Sequence, residues 1–317
     1  MKNELLKINH KWIDFLLTNG GMGLDLNKKR KLWIEHELGV SVKSMRKLYG
    51  GVSSLIYEVE TENRNFVLRQ FDNEEWLLEE PDLVSHESAS LQIAFNGDLP
   101  APRLLAADET GGKGGMPSIL MSKVDGKVLL EPEDFLVWTD GLAKAVSEIH
   151  RIEAKGFSWK YAAYMNHENV KMPEWTRIPD AWKVALEQFH GMEPKYRETF
   201  IHRDFHPANV LWKDGKVSGI VDWPNACLGP AGIDVGHCRV NLALLHGVEI
   251  ADLFLEAYHR HATEFVYDSY FDIVSIFDFI DRPLTVYRGW TDLGVEGLTD
   301  RMMETRMDAF MESIVLV

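Results

Sequence analysis

The chain has 317 residues, of which 45% are hydrophobic and 26% charged, a balance typical of a globular protein large enough for two lobes. Its formal net charge of −15 argues against nucleic acid as a partner, because phosphate backbones are bound by clustered Lys and Arg. The two cysteines, Cys227 and Cys238, lack the spacing of a zinc site and are too few for a disulfide framework. With no signal-peptide pattern and no apolar run of 18 residues, we expect a cytoplasmic protein without a membrane partner.

The first part of the chain is predicted to be a helical extension, residues 1–39, followed by three strands within residues 41–71. A glycine pair, Gly50 and Gly51, lies between the first two strands and is followed by Ser53. Glycines in such a turn let the backbone come close to a phosphate. A hairpin turn with no ligand is the alternative, since Gly-Gly hairpins are common.

Arg69 lies on the third predicted strand and shares a face with the apolar Val67 and Phe71. The next predicted helix, from about residue 82 to 95, carries Glu87 within its apolar stripe. A buried cation needs a partner, so the sequence predicts an Arg69–Glu87 ion pair. This pair is either part of a nucleotide site or an ordinary buried salt bridge.

Two further strands are predicted at residues 102–108 and 119–124, and the connection between the lobes is expected just after them. Backbone groups near Met121, Ser122 and Val124 are expected to bind a nucleotide base. From there on the pattern is mostly helical. We therefore predict an α+β fold with two lobes: a small, β-rich nucleotide-binding lobe (1–121) and a larger, mostly helical catalytic and substrate-binding lobe (122–317).

The segment His202–Asn209 has the pattern H-R-D-x-x-x-x-N, the catalytic-loop signature of phosphoryl transfer. Asp204 can accept the proton of an attacking hydroxyl, and Asn209 can offer a carbonyl oxygen to a metal ion. A hairpin turn at 213–216, with Lys213 paired to Lys216, would put Asn209 opposite Ile220 and Asp222 at the open end of the hairpin. Two hard oxygen ligands beside a carboxylate base suit a magnesium–triphosphate complex. The alternative is a buried cluster that only braces the loop.

Together these segments resemble the aminoglycoside phosphotransferase and choline kinase family, small-molecule kinases with a protein-kinase-like fold. The resemblance covers about residues 48–240. The segments that carry it are Gly50–Ser53, Val67–Arg69, Glu87, Leu99–Arg103, Leu120–Ser122, His202–Leu211 and Ile220–Trp223.

The resemblance implies a role for each matching residue. Asp204 would be the catalytic base, with His202 and Arg203 completing the catalytic loop. Asn209 and Asp222 would ligate Mg²⁺. The remaining roles are these: Arg69 contacts the phosphates of ATP or GTP, Glu87 holds Arg69, Gly51 and Ser53 lie over the phosphates, and Asp234 braces the loop from a helix start.

The sequence departs from protein kinases in two places, one at the phosphates and one that bears on the acceptor. Arg69 stands where protein kinases have Lys, and its guanidinium can grip phosphate oxygens bidentately. Only eleven residues separate Asp222 from Asp234, which leaves no room for a peptide-docking segment. A small-molecule acceptor is therefore expected.

We expect transfer of the γ-phosphate to a hydroxyl of an aminoglycoside or a related antibiotic. The acidic side chains Asp278, Asp281, Asp292 and Glu296 are candidates to meet the amines of such an acceptor. For any single one of them, a solvated surface position is the favoured alternative. A metabolic kinase acting on choline, a sugar or an amino alcohol is the alternative, with aromatic residues of 154–195 as a candidate cage for choline. A nucleotide-binding regulator without catalysis is a weaker alternative, because every catalytic position is filled. The sequence leaves monomer or homodimer open.

Overall fold

The computed structural model describes residues 25–48, 54–164, 170–191, 193–281 and 283–315. Most of the predicted helical extension and the glycine turn with Gly50, Gly51 and Ser53 therefore lie outside the described residues. Helix α1, Leu26–Leu38, begins where the Asp25 side chain accepts the N–H of Asn27. It ends at Gly39, whose φ of 66° is in the left-handed region that glycine adopts without strain.

An antiparallel five-stranded sheet forms the centre of the N-terminal lobe, with the order β1-β2-β3-β5-β4. Its strands are β1 Ser44–Leu48, β2 Leu55–Glu60, β3 Asn65–Gln70, β4 Leu104–Asp108 and β5 Ser118–Ser122. Helix α1 covers one face, where Trp33 and Ile34 pack on Val59 and Leu68. Side chains alternate along β3, so Arg69 points to the opposite face. After β3 come helices α2, Glu74–Glu79, and α3, Leu83–Asn96, which carries Glu87.

The C-terminal lobe is mostly helical, as predicted. Its helices are α4 Phe135–Ile149, α5 Pro179–Phe189, α6 Ala231–His246, α7 Val248–His261, α8 Tyr270–Ile280, α9 Arg288–Asp292 and α10 Asp300–Val315. Its strands are β6 Lys127–Val128, β7 Glu198–Ile201, β8 Val210–Lys213, β9 Lys216–Ile220 and β10 Cys227–Pro230. Helix α6 is buried along nearly its whole length and packs against α7, α8 and α10. Within the described ranges, no helix is both long and apolar enough to cross a membrane.

The hairpin that carries the catalytic loop differs from the predicted register by one residue. Lys213 pairs with Lys216 as expected, but the register shifts between Trp212 and Leu211. Ser218 is the extra residue, and its hydroxyl donates to the carbonyl of Asp125. As a result the carbonyl of Asn209 accepts the N–H of Val221, so the predicted alignment of Asn209 with Ile220 is wrong.

Helices α6 and α8 approach each other closely because α6 has glycines at the crossing. A Cβ at Gly236 would lie 2.4 Å from the carbonyl oxygen of Phe271 on α8. A Cβ at Gly232 would lie 2.2 Å from the ring of the same residue. These distances are far below van der Waals contact, so a side chain at either position would push the helices apart.

Helix α3 is attached to the C-terminal lobe through His86. Its imidazole stacks on the indole of Trp159, with 4.5 Å between the ring centroids, and Nε2 lies 2.5 Å from the carbonyl oxygen of Ala226. The Trp159 indole N–H donates to Asp82, just before the helix, at 2.9 Å. These contacts fix the position of Glu87, the next residue along α3, relative to the catalytic loop.

Candidate active site

The backbone of the catalytic loop is held by Asp234, near the start of α6. Its buried carboxylate accepts the N–H of His202 at 2.8 Å and of Arg203 at 2.6 Å. Arg203 has a φ of 66°, in the left-handed region that costs about 1 kcal/mol or more for a residue with a Cβ. The two hydrogen bonds offset this strain and direct the following residue, Asp204, into the cleft between the lobes.

His202 and Arg203 contact residues around the catalytic loop and do not themselves line the cleft. His202 is fully buried, and its Nε2–H donates to the carbonyl of Val221 at 3.0 Å, next to Asp222. The Arg203 guanidinium lies 3.6 Å from the centroid of the Tyr164 ring and donates to the carbonyl of Ala162. The structure thus gives both residues supporting contacts around the loop.

The Asp204 carboxylate has a hydrogen-bond donor on each oxygen. Nδ2 of Asn209 donates to Oδ2 at 3.2 Å, and Nε2 of His237 lies 3.2 Å from Oδ1. Burial raises the pKa of Asp204, but His206 and His237 lower it by a larger amount. The pKa of Asp204 is therefore below the usual range for an aspartate. At neutral pH Asp204 is therefore an ionised carboxylate, able to accept a hydrogen bond from a hydroxyl.

Asn209 and Asp222 offer oxygen atoms that fit a magnesium ion. Asn209 uses Nδ2 for both of its bonds to Asp204, so its Oδ1 remains as an acceptor. Asp222, with a φ of 71°, accepts from Arg69 through Oδ1. Among the described residues no group of three or more His, Cys, Asp or Glu could hold a metal by itself. Two hard oxygen ligands completed by phosphates are the set that Mg²⁺ takes in nucleotide sites.

The Arg69 side chain joins the two lobes. It is 2% exposed, and its Nη1 donates to Glu87 at 2.9 Å and to Asp222 at 2.6 Å. Its Nε donates to the hydroxyl of Ser54 at 2.9 Å. The predicted Arg69–Glu87 pair is therefore present. The bond to Asp222 was not predicted, and it connects the sheet directly to the candidate metal ligand.

A cavity of about 720 Å³ lies between the lobes and includes these groups. Apolar side chains from both lobes line one part of it, an apolar slot whose chemistry suits a planar base. They are Leu48, Ile56, Val67, Met121, Val128 and Leu211. Arg69, Asp204, Asn209 and Asp222 line its polar part, and Tyr164 and Tyr287 line it as well.

The backbone groups near the connection between the lobes differ in whether they already have a hydrogen-bond partner. The N–H of Ser122 donates to the carbonyl of Arg103 at 2.9 Å, and the Ser122 hydroxyl accepts the N–H of Arg103. The Ser122 N–H is thus not available to a base. Val124 also lines the cavity, and its N–H has no acceptor within the described part of the chain, so Val124 is the better candidate donor.

Of the four acidic residues expected to meet amines, the structure distinguishes Asp278, on α8. Its Oδ1 is buried with no hydrogen-bond partner within the described ranges. Burial raises the pKa of Asp278 to about 6, although His237 and Arg203 oppose the rise. The other three, Asp281, Asp292 and Glu296, are exposed.

The predicted aromatic cage is not present among the described residues. Trp182 donates to Asp308 inside the core, Trp175 packs on Trp182, and Trp159 stacks on His86. Of the aromatic residues described between 154 and 195, Tyr164 is the one that lines the cavity.

Sequence reasoning missed His237, whose contact with Asp204 depends on where α6 lies. A signal for it existed: His237 follows Asp234 by three residues, so both side chains lie on one face of the helix. The sequence predicted that Asp234 braces the catalytic loop. His237, the next residue on that face of the helix, could have been identified in the same way.

Comparisons with known proteins agree with this geometry. Residues 44–270 match the phosphotransferase enzyme family, APH. A homoserine kinase from Methylobacillus flagellatus is 28% identical over 253 residues, 72% of this chain and 73% of that protein.

Among solved structures, aminoglycoside phosphotransferase APH(4)-Ia, a thermostable mutant in ternary complex with AMP-PNP and hygromycin B, has a TM-score of 0.61. It is 15% identical, with 89% of this chain and 97% of that chain covered. Macrolide 2′-phosphotransferase MphH from Brachybacterium faecium has a TM-score of 0.59 at 15% identity, with 87% and 96% covered. The kinase-like two-lobe fold and the family resemblance are confirmed: the chain belongs to the phosphotransferase enzyme family, whose kinases phosphorylate hydroxyl groups.

Proposed function

We propose that this protein transfers the γ-phosphoryl group of ATP, in the presence of Mg²⁺, to a hydroxyl of a small amine-bearing molecule of the amino-alcohol type. The observation that carries this proposal is the ionised Asp204 carboxylate in the cavity, beside Asn209, Asp222 and Arg69. Few other reactions need a carboxylate base, two oxygen ligands for a metal and a buried cation in one cleft.

Catalysis would consist mostly of positioning and charge stabilisation. The acceptor hydroxyl would donate to Asp204, which orients the oxygen and takes its proton as the bond from that oxygen to the γ-phosphorus forms. The bond between the γ-phosphorus and the β–γ bridging oxygen breaks in the same step, and ADP leaves with that oxygen. Arg69 would contact phosphate oxygens and is itself held by Glu87. Asn209 and Asp222 would hold Mg²⁺, which when bound neutralises charge on the phosphates.

The apolar slot supports a purine nucleotide as the phosphate donor. We assign the base to this slot, next to Met121 and Val124, and the phosphates to the polar part of the cavity beside Arg69, Asn209 and Asp222. ATP is the donor we favour, with GTP as the alternative, because the similar APH(4)-Ia structure contains an ATP analogue. A cytoplasmic location, where ATP is abundant and cysteines stay reduced, belongs to the same proposal.

Two observations support an amino alcohol as the acceptor. The relative with the name homoserine kinase acts, by that name, on an amino acid that carries a hydroxyl. The partly buried carboxylate of Asp278 lies near His237, which itself contacts Asp204. An acceptor with its hydroxyl on Asp204 could bring its ammonium group toward Asp278, where burial strengthens the attraction.

An aminoglycoside or related antibiotic is the second candidate acceptor. It is favoured by the fold shared with APH(4)-Ia, whose structure contains hygromycin B, and by the net charge of −15, which attracts polycations. A hydroxyl on a large cationic sugar would use the same base.

A turnover assay decides between these acceptors. Release of ADP with Mg²⁺ and ATP would be measured with L-homoserine, choline, hygromycin B, kanamycin and erythromycin, with Asp204→Asn as the control. We expect turnover with L-homoserine or a related amino alcohol that is lost in the control. Turnover with an antibiotic and with none of the amino alcohols would show that the second candidate, an antibiotic acceptor, is the right one. Nucleotide binding without turnover on any acceptor would contradict both.

A further inference from the structure

The Asp204 carboxylate is held from two different parts of the fold. Asn209, which bonds Oδ2, belongs to the same loop as Asp204. His237, whose Nε2 lies 3.2 Å from Oδ1, belongs to helix α6. We propose that His237 positions the Asp204 carboxylate for phosphoryl transfer by donating a hydrogen bond from Nε2 to Oδ1, a role that rests on the kinase function proposed above.

His206, the other histidine near Asp204, does not fill this role. Its Nε2 lies 3.8 Å from Oδ1, too far for a hydrogen bond. The ring is buried, and burial lowers the pKa of His206 to about 4, so it is neutral at pH 7. This leaves His237 as the histidine that bonds the carboxylate.

Helix α6 places His237 and Asp234 on one face, three residues apart. Asp234 fixes the main chain of the catalytic loop by accepting two of its N–H groups. His237 fixes the side chain of Asp204, the residue after Arg203. One rigid helix therefore sets both the path of the loop and the rotamer of the base, which is how a catalytic group is held to a fraction of an ångström.

The surroundings of His237 keep its ring in place without sealing it from water. The Phe279 ring, on α8, lies 5.4 Å away between centroids, and the His206 ring lies 5.8 Å away. The His237 side chain is still 21% exposed. It can therefore keep a donor toward Asp204 while its other nitrogen contacts solvent.

A donor at Oδ1 restricts the Asp204 carboxylate to one rotamer, so loss of that donor should leave the Asp204 side chain less well positioned. Several other titratable groups face Asp204 or His237 and remain when His237 is replaced. They are His202 and His206 of the loop, Tyr164 and Tyr287 of the cavity, Asp222 after β9, and Asp278 of α8.

Kinetics on three variants test the proposal. His237→Ala removes the donor, His237→Gln keeps an N–H of similar reach, and His259→Ala removes an exposed histidine of α7 as a matched control. We expect kcat of His237→Ala to fall roughly 10- to 100-fold, with KM for ATP nearly unchanged. His237→Gln should recover most of the rate, and His259→Ala should match the wild type.

A second measurement needs no acceptor. In protein labelled with ¹³C at aspartate carboxyl groups, the Asp204 signal is the one lost in Asp204→Asn. We expect the chemical shift of this signal at pH 7 to differ between His237→Ala and the wild type and to return most of the way in His237→Gln. If the shift is the same in all three proteins, the positioning role is wrong. An inactive wild type whose Asp204 signal still moves in His237→Ala would instead reject the kinase function and keep the His237–Asp204 contact.

Discussion

The two carboxylates at the centre of the cleft, Asp222 and Asp204, are held by opposite kinds of partner. Asp222 is bound by the permanent charge of Arg69, which is itself tied to Glu87. Asp204 is bound by an amide and lies between two imidazoles, His206 and His237. Asp222 is thus held by a charge from the N-terminal lobe, whereas Asp204 is surrounded by groups of the C-terminal lobe. Changes at Arg69 should therefore disturb the contact between the lobes, whereas changes at Asp204 should act on turnover.

Removing the charge of Asp204 should have the largest effect. We expect Asp204→Asn to lower kcat by about 10³-fold, because the acceptor hydroxyl loses its proton acceptor. Nucleotide affinity, measured by calorimetry, should change little, since Arg69 and Asp222 remain in place. Wild-type rates in this variant would show that the base lies elsewhere.

At the other end, breaking the ion network should act on stability as well as on rate. We expect Arg69→Met to lower the free energy of unfolding by about 3–5 kcal/mol, because Glu87 and Asp222 lose the cation between them. Chemical denaturation measures this change. The double variant Arg69→Met/Glu87→Leu should recover part of the stability but none of the turnover. An Arg69→Met protein as stable as the wild type would mean that the network contributes little.

Asp278 provides a smaller test in which stability and pH are linked. Its folded pKa of about 6 lies above the reference value of 3.8, so ionisation disfavours the folded state and stability is lost as pH rises from about 4 through 6. We expect Asp278→Asn to be more stable than the wild type by about 1–3 kcal/mol at pH 8 and equal to it at pH 4. Urea denaturation at both pH values measures the difference, with the exposed Asp281→Asn as the control.

The same substitution should raise KM for amine-bearing acceptors. A variant that gains stability and loses acceptor affinity would be the trade-off expected where a buried charge is kept for binding. No stability gain at pH 8 would mean that Asp278 is well solvated and plays no such part.

Ser54 should have the smallest effect of the set. Ser54→Ala removes the neutral acceptor of the Arg69 Nε–H and should lower stability by about 1–2 kcal/mol while leaving both ion pairs in place. Ser88→Ala is the matched control, because its hydroxyl only bonds a carbonyl within α3. Equal melting temperatures for the two variants would show that the Ser54 hydroxyl contributes little to holding Arg69.

Much of the fold and the polar centre of the site could be predicted because local patterns encode them. The H-R-D-x-x-x-x-N spacing located Asp204 and Asn209, and an apolar strand face located Arg69. Contacts between distant elements could not be read in this way: the Arg69–Asp222 bond and the His237–Asp204 contact depend on how lobes and helices pack. The bulge at Ser218 shifted the predicted register because one unpaired residue leaves no distinct signal in a short hairpin.

The glycines of α6 set the distance between α6 and α8, the two helices on either side of the acceptor region proposed above. Gly236 lets α6 lie against the backbone of Phe271, and this contact sets how far His237, on α6, stands from Asp278, on α8. A single methyl group there would separate the two helices while leaving every charged residue unchanged. Acceptor size can therefore diverge among descendants of this chain through a packing change alone, with the phosphate-transfer machinery inherited intact.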